Sequence, residues 1–297
     1  MHLSDSGASF SHDSGAYPDE ELTVTVAAPK GFTIAYTTDG TLPGAENDSG
    51  KSQVQILLKK QEAGYLYEHR EAMMYPDFEQ SRLENDASLP SGRVLNTALC
   101  AKDGTVNGFE SHVYFLSVDF AEVYPDCLVI SVAADPQDLL DYNTGILAAG
   151  AEYDRWRQSE EGKSAIENNQ DWKIQSNCTM KGREWERQCR IQIYDRANEP
   201  FAQTSGGMRV HGGASRTANQ KGFNFYLRDA YGSVPSLSLF GDGTGCTRFV
   251  LRNGGNAVRF LKYRDDLLQE LCGDRQVTAL KKRPCFFSTG NTGAYTH

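Results

Sequence analysis

Lys221 stands two residues ahead of Phe223, in a run where Phe223, Phe225 and Leu227 alternate with Asn224, Tyr226 and Arg228. That period-2 pattern predicts a strand with one apolar face, and Lys221 has the phase of that face. A lysine there is costly unless its ammonium finds a partner. Two chemistries follow. Either the side chain runs along the apolar surface and reaches solvent at the strand end, or it is held in a cleft where its charge binds an anion such as a nucleotide phosphate.

The element that must position Lys221 runs from Gly206 to Gly232 and reads as strand, glycine turn, strand. Met208 and Val210 alternate with Arg209 and His211. Gly212 and Gly213 can take the positive φ angles of a tight turn. Protein kinases use the same order, a glycine-rich hairpin and then a strand carrying the phosphate-pairing lysine. The chain contains no Gly-x-Gly-x-x-Gly, however. A second glycine-rich run, Phe240-Gly-Asp-Gly-Thr-Gly-Cys246, can cradle a phosphate or be a plain surface loop; no Lys-Ser/Thr follows it.

With 297 residues the chain holds one large or two ordinary domains, and 39% hydrophobic residues are normal for a globular core. A net charge of −9 argues against nucleic acid or anionic membrane as broad partners. No apolar run approaches a membrane span. The start, Met1-His-Leu-Ser-Asp-Ser-Gly, lacks the basic end and apolar core of a signal peptide. The chain is therefore expected to be intracellular or to have its export signal upstream. None of the seven cysteines forms Cys-x-x-Cys and no His pair sits at ligand spacing, so no structural metal is expected. Cys178 and Cys189 flank a polar turn; they either pair across it or stay as free buried thiols.

Residues 1–119 read as all-β. Leu22, Val24 and Val26 alternate with Thr23 and Thr25; residues 33–38 and 52–58 are further strands; residues 94–101 and 111–118 form a hairpin about Asp103-Gly104. Short strands with turn signals predict a β-sandwich. Residues 61–90 are polar and irregular, an insertion with Met73, Met74 and Tyr75 as an apolar patch. Residues 121–126 are a short linker. Residues 127–133 are a buried strand, and Asp135-Pro136 opens a short helix. Residues 151–170 are a loop or amphipathic helix anchored by Tyr153 and Trp156. Arg183-Glu-Trp-Glu-Arg187 reads as a solvated turn with a packed tryptophan. Residues 190–194, with Ile191 and Ile193 inward, and 247–252 are strands. Residues 263–272 are a helix with a Leu267, Leu268, Leu271 stripe; Glu270 lies beside that stripe, exposed or reaching a lysine on the sheet. Residues 283–287 form a last strand. The whole is expected to be α+β.

Two resemblances attach to these pieces. Tyr36-Thr-Thr-Asp-Gly-Thr-Leu-Pro43, with Ser14-Gly-Ala-Tyr17 and the 94–116 hairpin, resembles the chitobiase/β-hexosaminidase C-terminal-like domain. That implies an immunoglobulin-like accessory β-sandwich over residues 1–120, a spacer or surface module with carbohydrate or cell-surface contacts rather than a glycosidase. From residue 124 to 297 the chain resembles the spore coat protein H (CotH) kinase-like family. The matching residues are Leu128-Val-Ile-Ser-Val, Asp135-Pro, Asp141-Tyr-Asn-Thr-Gly-Ile146, Lys181-Gly-Arg-Glu-Trp-Glu-Arg187, Gly207-Met-Arg-Val-His-Gly-Gly-Ala-Ser-Arg216, Gln220-Lys221, Leu251-Arg-Asn253 and Arg264-Asp-Asp-Leu-Leu-Gln-Glu-Leu271.

The second resemblance implies an atypical kinase-like domain, an antiparallel sheet with helices. It implies ATP and Mg2+ as cofactors, a coat or surface protein phosphorylated on serine as partner, and a spore-surface or extracellular setting. It makes Lys221 the nucleotide-phosphate lysine, Arg209 and Arg216 candidates for phosphate or structural pairing, and Glu270 the candidate partner of the lysine. The chain departs from the family at Ser288-Thr-Gly-Asn-Thr-Gly-Ala-Tyr295, where the family's acidic and tryptophan positions are lost. The aspartate and magnesium ligands of a second lobe are expected beyond His297. The chain is thus read as the N-terminal portion of a kinase-like domain, truncated and inactive as it stands. The alternative is a non-catalytic extracellular or spore-surface module.

Overall fold

The computed structural model describes residues 2–3, 6–61, 68–78, 92–125, 128–195, 197–239, 243, 245–253, 285–288 and 294–296. The chain is mixed α and β, with sheets dominating. One four-stranded sheet has the order β1 (His2–Leu3), β2 (Ser9–Phe10), β4 (Glu21–Ala27), β6 (Gln53–Lys59). A second has the order β3 (Gly15–Tyr17), β8 (Val106–Leu116), β7 (Gly92–Ala101), β5 (Phe32–Thr37). In β4 and β6 every second residue is buried, as strict alternation requires of a sheet with one wet face. Val24, Val26, Ile56 and Leu58 of one sheet meet Ile34, Leu95, Leu99 and Tyr114 of the other in a shared core. The Asp39-Gly40 turn forms as its residues predict: Gly40 has φ +94° and the Asp39 carboxylate accepts from the Thr41 amide at 3.0 Å. Buried Asn96 of β7 fastens that turn, donating to the Gly40 and Thr41 carbonyls at 3.0 and 2.8 Å.

Strand β7 breaks the alternation, with residues 94–100 all buried. At Val94 the second face is covered by the elements that follow. Val94, Val113 and Phe115 pack on Phe120, Val129, Ala133 and Tyr194. Those last residues belong to helix α1 (Phe120–Val123), to β9 (Leu128–Ala133) and to β10 (Arg187–Asp195). Polar contacts reinforce this junction: the Asn198 carbonyl accepts from the Ala16 amide at 2.8 Å, and Gln192 donates to the Ser14 hydroxyl at 2.7 Å.

Strands β9 and β10 lie in a seven-stranded sheet. Its order is β13 (Arg248–Leu251), β12 (Gly222–Tyr226), β11 (Ala202–His211), β10, β9, β14 (Cys285–Ser288), β15 (Ala294–Thr296). Every pairing is antiparallel except β9 with β14. Its other face carries the largest core, with Ile130, Ile191, Met208, Phe223, Phe225 and Phe249. Helices α2 (Pro136–Leu140), α3 (Gly150–Gln158) and α4 (Glu160–Glu167) contribute Leu139, Tyr153, Trp156 and Ala165 to it. Asp135 caps α2 at the Gln137 amide, 2.8 Å, with proline in the first turn. Residues 151–170 resolve into two helices, because Ser159 ends α3 and caps α4 at the Gly162 amide, 3.0 Å.

Three further outcomes bear on the site. Met73 and Tyr75 leave the first 120 residues' core and pack, with Phe78, in the core under the seven-stranded sheet. Cys178 and Cys189 are free buried thiols. The helix expected at 263–272, with Glu270, lies outside the described residues, as do 240–242 and 244 of the glycine-rich run. Among the described residues no helix is long and apolar enough to cross a membrane.

Candidate functional site

Strands β11 and β12 form the expected hairpin, with Met208 opposite Phe225 and Val210 opposite Phe223. Gly212 sits at φ +127°, where a side chain would be strained, whereas Gly213 needs no positive φ. A short 3-10 turn, Ala214–Thr217, follows. Lys221 is 4% exposed and in phase with Phe223 and Phe225, as the pattern predicted. Its ammonium does not snorkel to water. It donates to the carbonyls of Arg216 and Ala218 at 3.0 and 3.2 Å. Among the described residues no carboxylate pairs with it.

Arg216 braces the same turn. Its Nε donates to the Gly212 carbonyl at 2.6 Å, and its Nη1 to Thr179 and Met180 carbonyls at 2.8 and 3.0 Å. The Arg216 carbonyl in turn accepts from the Cys178 thiol at 3.2 Å. Cys178 also contacts the buried Tyr75 hydroxyl at 3.0 Å. Burial, then the neighbouring thiol, pushes the Tyr75 phenol well above its ordinary pKa, so it stays protonated. Residues 68–78 are thereby tied to the Lys221 turn through Cys178 and a carbonyl.

Arg209 lies on the opposite phase of the hairpin, and the structure separates it from Lys221. There the strands set Gly207, Tyr226 and Arg248 in one row and Arg209, Asn224 and Val250 in the next. Three guanidinium carbons surround the Tyr226 ring: Arg209 at 4.5 Å, Arg228 at 4.7 Å and Arg248 at 5.1 Å from its centroid. Among the described residues one carboxylate answers them. Glu186, its side chain wholly buried, accepts from Arg228 Nε at 2.8 Å and lies 3.6 Å from Arg209 Nε. Arg209 also donates to the Gly182 carbonyl at 2.9 Å and to the Tyr226 hydroxyl. Arg248 donates to the neutral Asn224 side chain at 2.9 Å. Gly207 makes room for this: a Cβ there would stand 2.5 Å from Glu186 Oε1 and 2.6 Å from the Tyr231 ring.

Of the expected site residues, then, Lys221 and Arg216 come together at one turn, Arg209 has the opposite phase from Lys221 but donates beside Arg216 to carbonyls of residues 179–182 and within reach of its charge, and Glu270 lies outside the described residues. Glu186, Tyr226, Arg228 and Arg248 were not anticipated. Glu186 looked like one more solvated charge in Arg183-Glu-Trp-Glu-Arg187. The available signal was the outward phase that Asn224, Tyr226 and Arg228 share. As for a nucleotide with its metal, the described residues offer cations for phosphates. They place no group of three His, Cys, Asp or Glu side chains to hold a metal ion.

No family model, no curated protein and no solved structure matches this chain.

Proposed function

We propose that this chain is a kinase-like binder of ATP with Mg2+, of the spore coat protein H type, directed at serine in a coat or surface protein. The observation that carries the reading is the buried ammonium of Lys221, placed at the end of a glycine hairpin and held by two neutral carbonyls. An anion offsets a buried charge more fully than carbonyl dipoles do. In this reading Lys221 pairs a nucleotide phosphate, Arg216 holds the turn that aims it, and Glu270 partners the lysine. ATP supplies the phosphoryl group. The two N-terminal sheets are read as an immunoglobulin-like accessory module.

A second reading, a non-catalytic extracellular or spore-surface module, is favoured by a specific observation. Lys221 and Arg216 both spend donors on backbone carbonyls of one turn, as structural staples do. Calorimetric titration of ATP, with and without magnesium, separates the two. The kinase-like reading expects saturable binding to the wild type and its loss in Lys221→Met, which removes the charge and keeps an apolar stem. Equal binding by both, or none by a folded wild type, leaves the staple reading.

A further inference from the structure

We propose that the face of β11–β13 bearing Arg209 and Tyr226 is an oxyanion site for a phosphate monoester dianion, held by Arg209, Arg228 and Arg248 around Tyr226. The inference does not depend on the role of Lys221, which has the opposite phase of the hairpin.

The argument starts from charge. Three guanidiniums lie within 5.1 Å of one ring centroid, and Glu186 is the one carboxylate among the described residues that pairs with any of them. Among these four groups the surplus is two, and Arg216 adds a further charge within reach of Arg209 and Tyr226. This surplus sits in a chain whose net charge is −9. Like charges gathered this closely repel one another, and a single π-face offsets only part of that. The folded chain therefore holds a positive concentration that the described residues leave uncompensated.

His211 feels one of these three charges, that of Arg248, together with Arg252 and Arg216. It lies on the same face as Arg209, and its pKa is lowered first by burial and then by those charges, against a hydrogen bond to Asn224. Arg209 Nε is buried without a hydrogen-bond acceptor, 3.6 Å from the carboxylate. Arg248 is exposed, and the Arg228 and Arg209 side chains keep 34% and 25% of their surface in water. Glu186 and the Gly182 carbonyl fix Arg228 and Arg209 in place beforehand, which removes much of the ordering cost of binding.

The chemistry selects the ligand class. Guanidinium forks match the oxygens of phosphate geometrically, and the charge-assisted hydrogen bonds so formed are the strong ones. A surplus of two positive charges matches a phosphate monoester dianion better than a single carboxylate. A long polyanion is disfavoured by the acidic remainder of the chain.

The test is calorimetric titration of the whole chain with inorganic phosphate at pH 8, at ionic strength matched with chloride. Saturable binding is expected, weakened about tenfold in Arg248→Gln, the loss of roughly one charge-assisted contact. Arg248→Lys should fall between, because it keeps charge without the fork. Lys221→Met and the surface control Arg155→Gln should bind like the wild type. The same addition should raise the midpoint of the His211 proton titration followed by NMR. Tighter binding of O-phosphoserine than of adenosine monophosphate supports the site and assigns the ester to a modified protein; the reverse order supports it and assigns a nucleotide. No saturable binding, unchanged affinity in Arg248→Gln, or loss in Lys221→Met alone overturns the proposal.

Discussion

Arg228 grips the buried Glu186 carboxylate with two parallel bonds, Nε to Oε1 at 2.8 Å and Nη2 to Oε2 at 3.1 Å. Tyr231 adds a third at 3.0 Å. Burial alone would push the Glu186 carboxyl up. The hydrogen bonds from Arg228 and Tyr231, with the charges of Arg228 and Arg209, reverse that and hold it below the ordinary 4.5. A depressed carboxyl gives stability that is full above the unfolded value and is lost as pH falls through the folded one. Glu186→Gln is therefore predicted to lower stability at pH 7 by about 2 kcal/mol, less than a fully buried broken pair because Arg228 keeps some water. Urea unfolding checks it: the gap to wild type should narrow as pH drops below 4.5. A gap of constant size down to strong acid contradicts the account.

That pair also marks where the sequence stops being legible. The alternation of Met208, Val210, Phe223 and Phe225 needs only local reading, and so do the phase of Lys221 and the Asp135 cap, because period and capping are properties of neighbours. Glu186 and Arg228 are 42 residues apart. Nothing local tells a charge that will be buried among arginines from one that will be solvated. Met73 and Tyr75 were visible as apolar but not their destination, since burial fixes that a side chain is covered and not by which sheet. The direction of the Lys221 ammonium was equally closed, because the carbonyls that receive it depend on the path of the turn.

His112 of β8 should give the fold a second acid sensitivity. Its ring stacks on Phe10 with centroids 4.1 Å apart, and its Nε2 is sealed from solvent without a hydrogen-bond partner. The residue keeps a partly exposed edge, but the sealed nitrogen sets its proton affinity. Burial, then the charge of Arg190, lowers its pKa from 6.5 to about 4. Between those values the unfolded chain binds the proton and the folded chain does not. Stability is thus full above 6.5, declines as pH falls, and levels off below about 4. The whole decline is on the order of 3 kcal/mol. His112→Phe keeps the stack and should flatten the unfolding free energy across that window. An unchanged slope in the variant contradicts the prediction.

Asp77 should anchor residues 68–78 to the second core. Its carboxylate accepts from the Tyr153 hydroxyl at 2.6 Å and from Arg157 at 2.8 Å. Both donors stand on α3, so one side chain pins the segment to one helix. Asp77→Ala is predicted to cost about 1.5–3 kcal/mol, the range for hydrogen bonds to a charged group. Limited proteolysis should then cut this segment faster. Glu21→Ala, which breaks an exposed pair with Lys59, is the control and should change stability by less than about 1 kcal/mol. Equal effects of the two substitutions would remove the anchoring role.

The last prediction concerns cooperativity. Tyr194 is fully buried between the N-terminal sheets and the seven-stranded sheet, with ring centroids 6.0 Å from Phe115 and 5.2 Å from Phe120. Asn198 adds a side-chain bond to the Phe120 amide at 2.9 Å and a backbone bond to Ala16. Val94 of β7 and Val113 and Phe115 of β8 are covered by this junction, so exposing either unit alone would wet apolar side chains on both. Separate melting of the two units is then unfavourable, and calorimetry should show a single unfolding transition. Tyr194→Ala, which empties the middle of the junction, should lower that transition by about 3–5 kcal/mol, as for other large buried aromatics. Two resolved transitions in the wild type would mean that the apolar contact at Tyr194 does not couple the sheets. A single transition that survives the substitution, shifted down, would place the coupling in the wider interface of Val94, Val113 and Val129 with Tyr194 as its largest member.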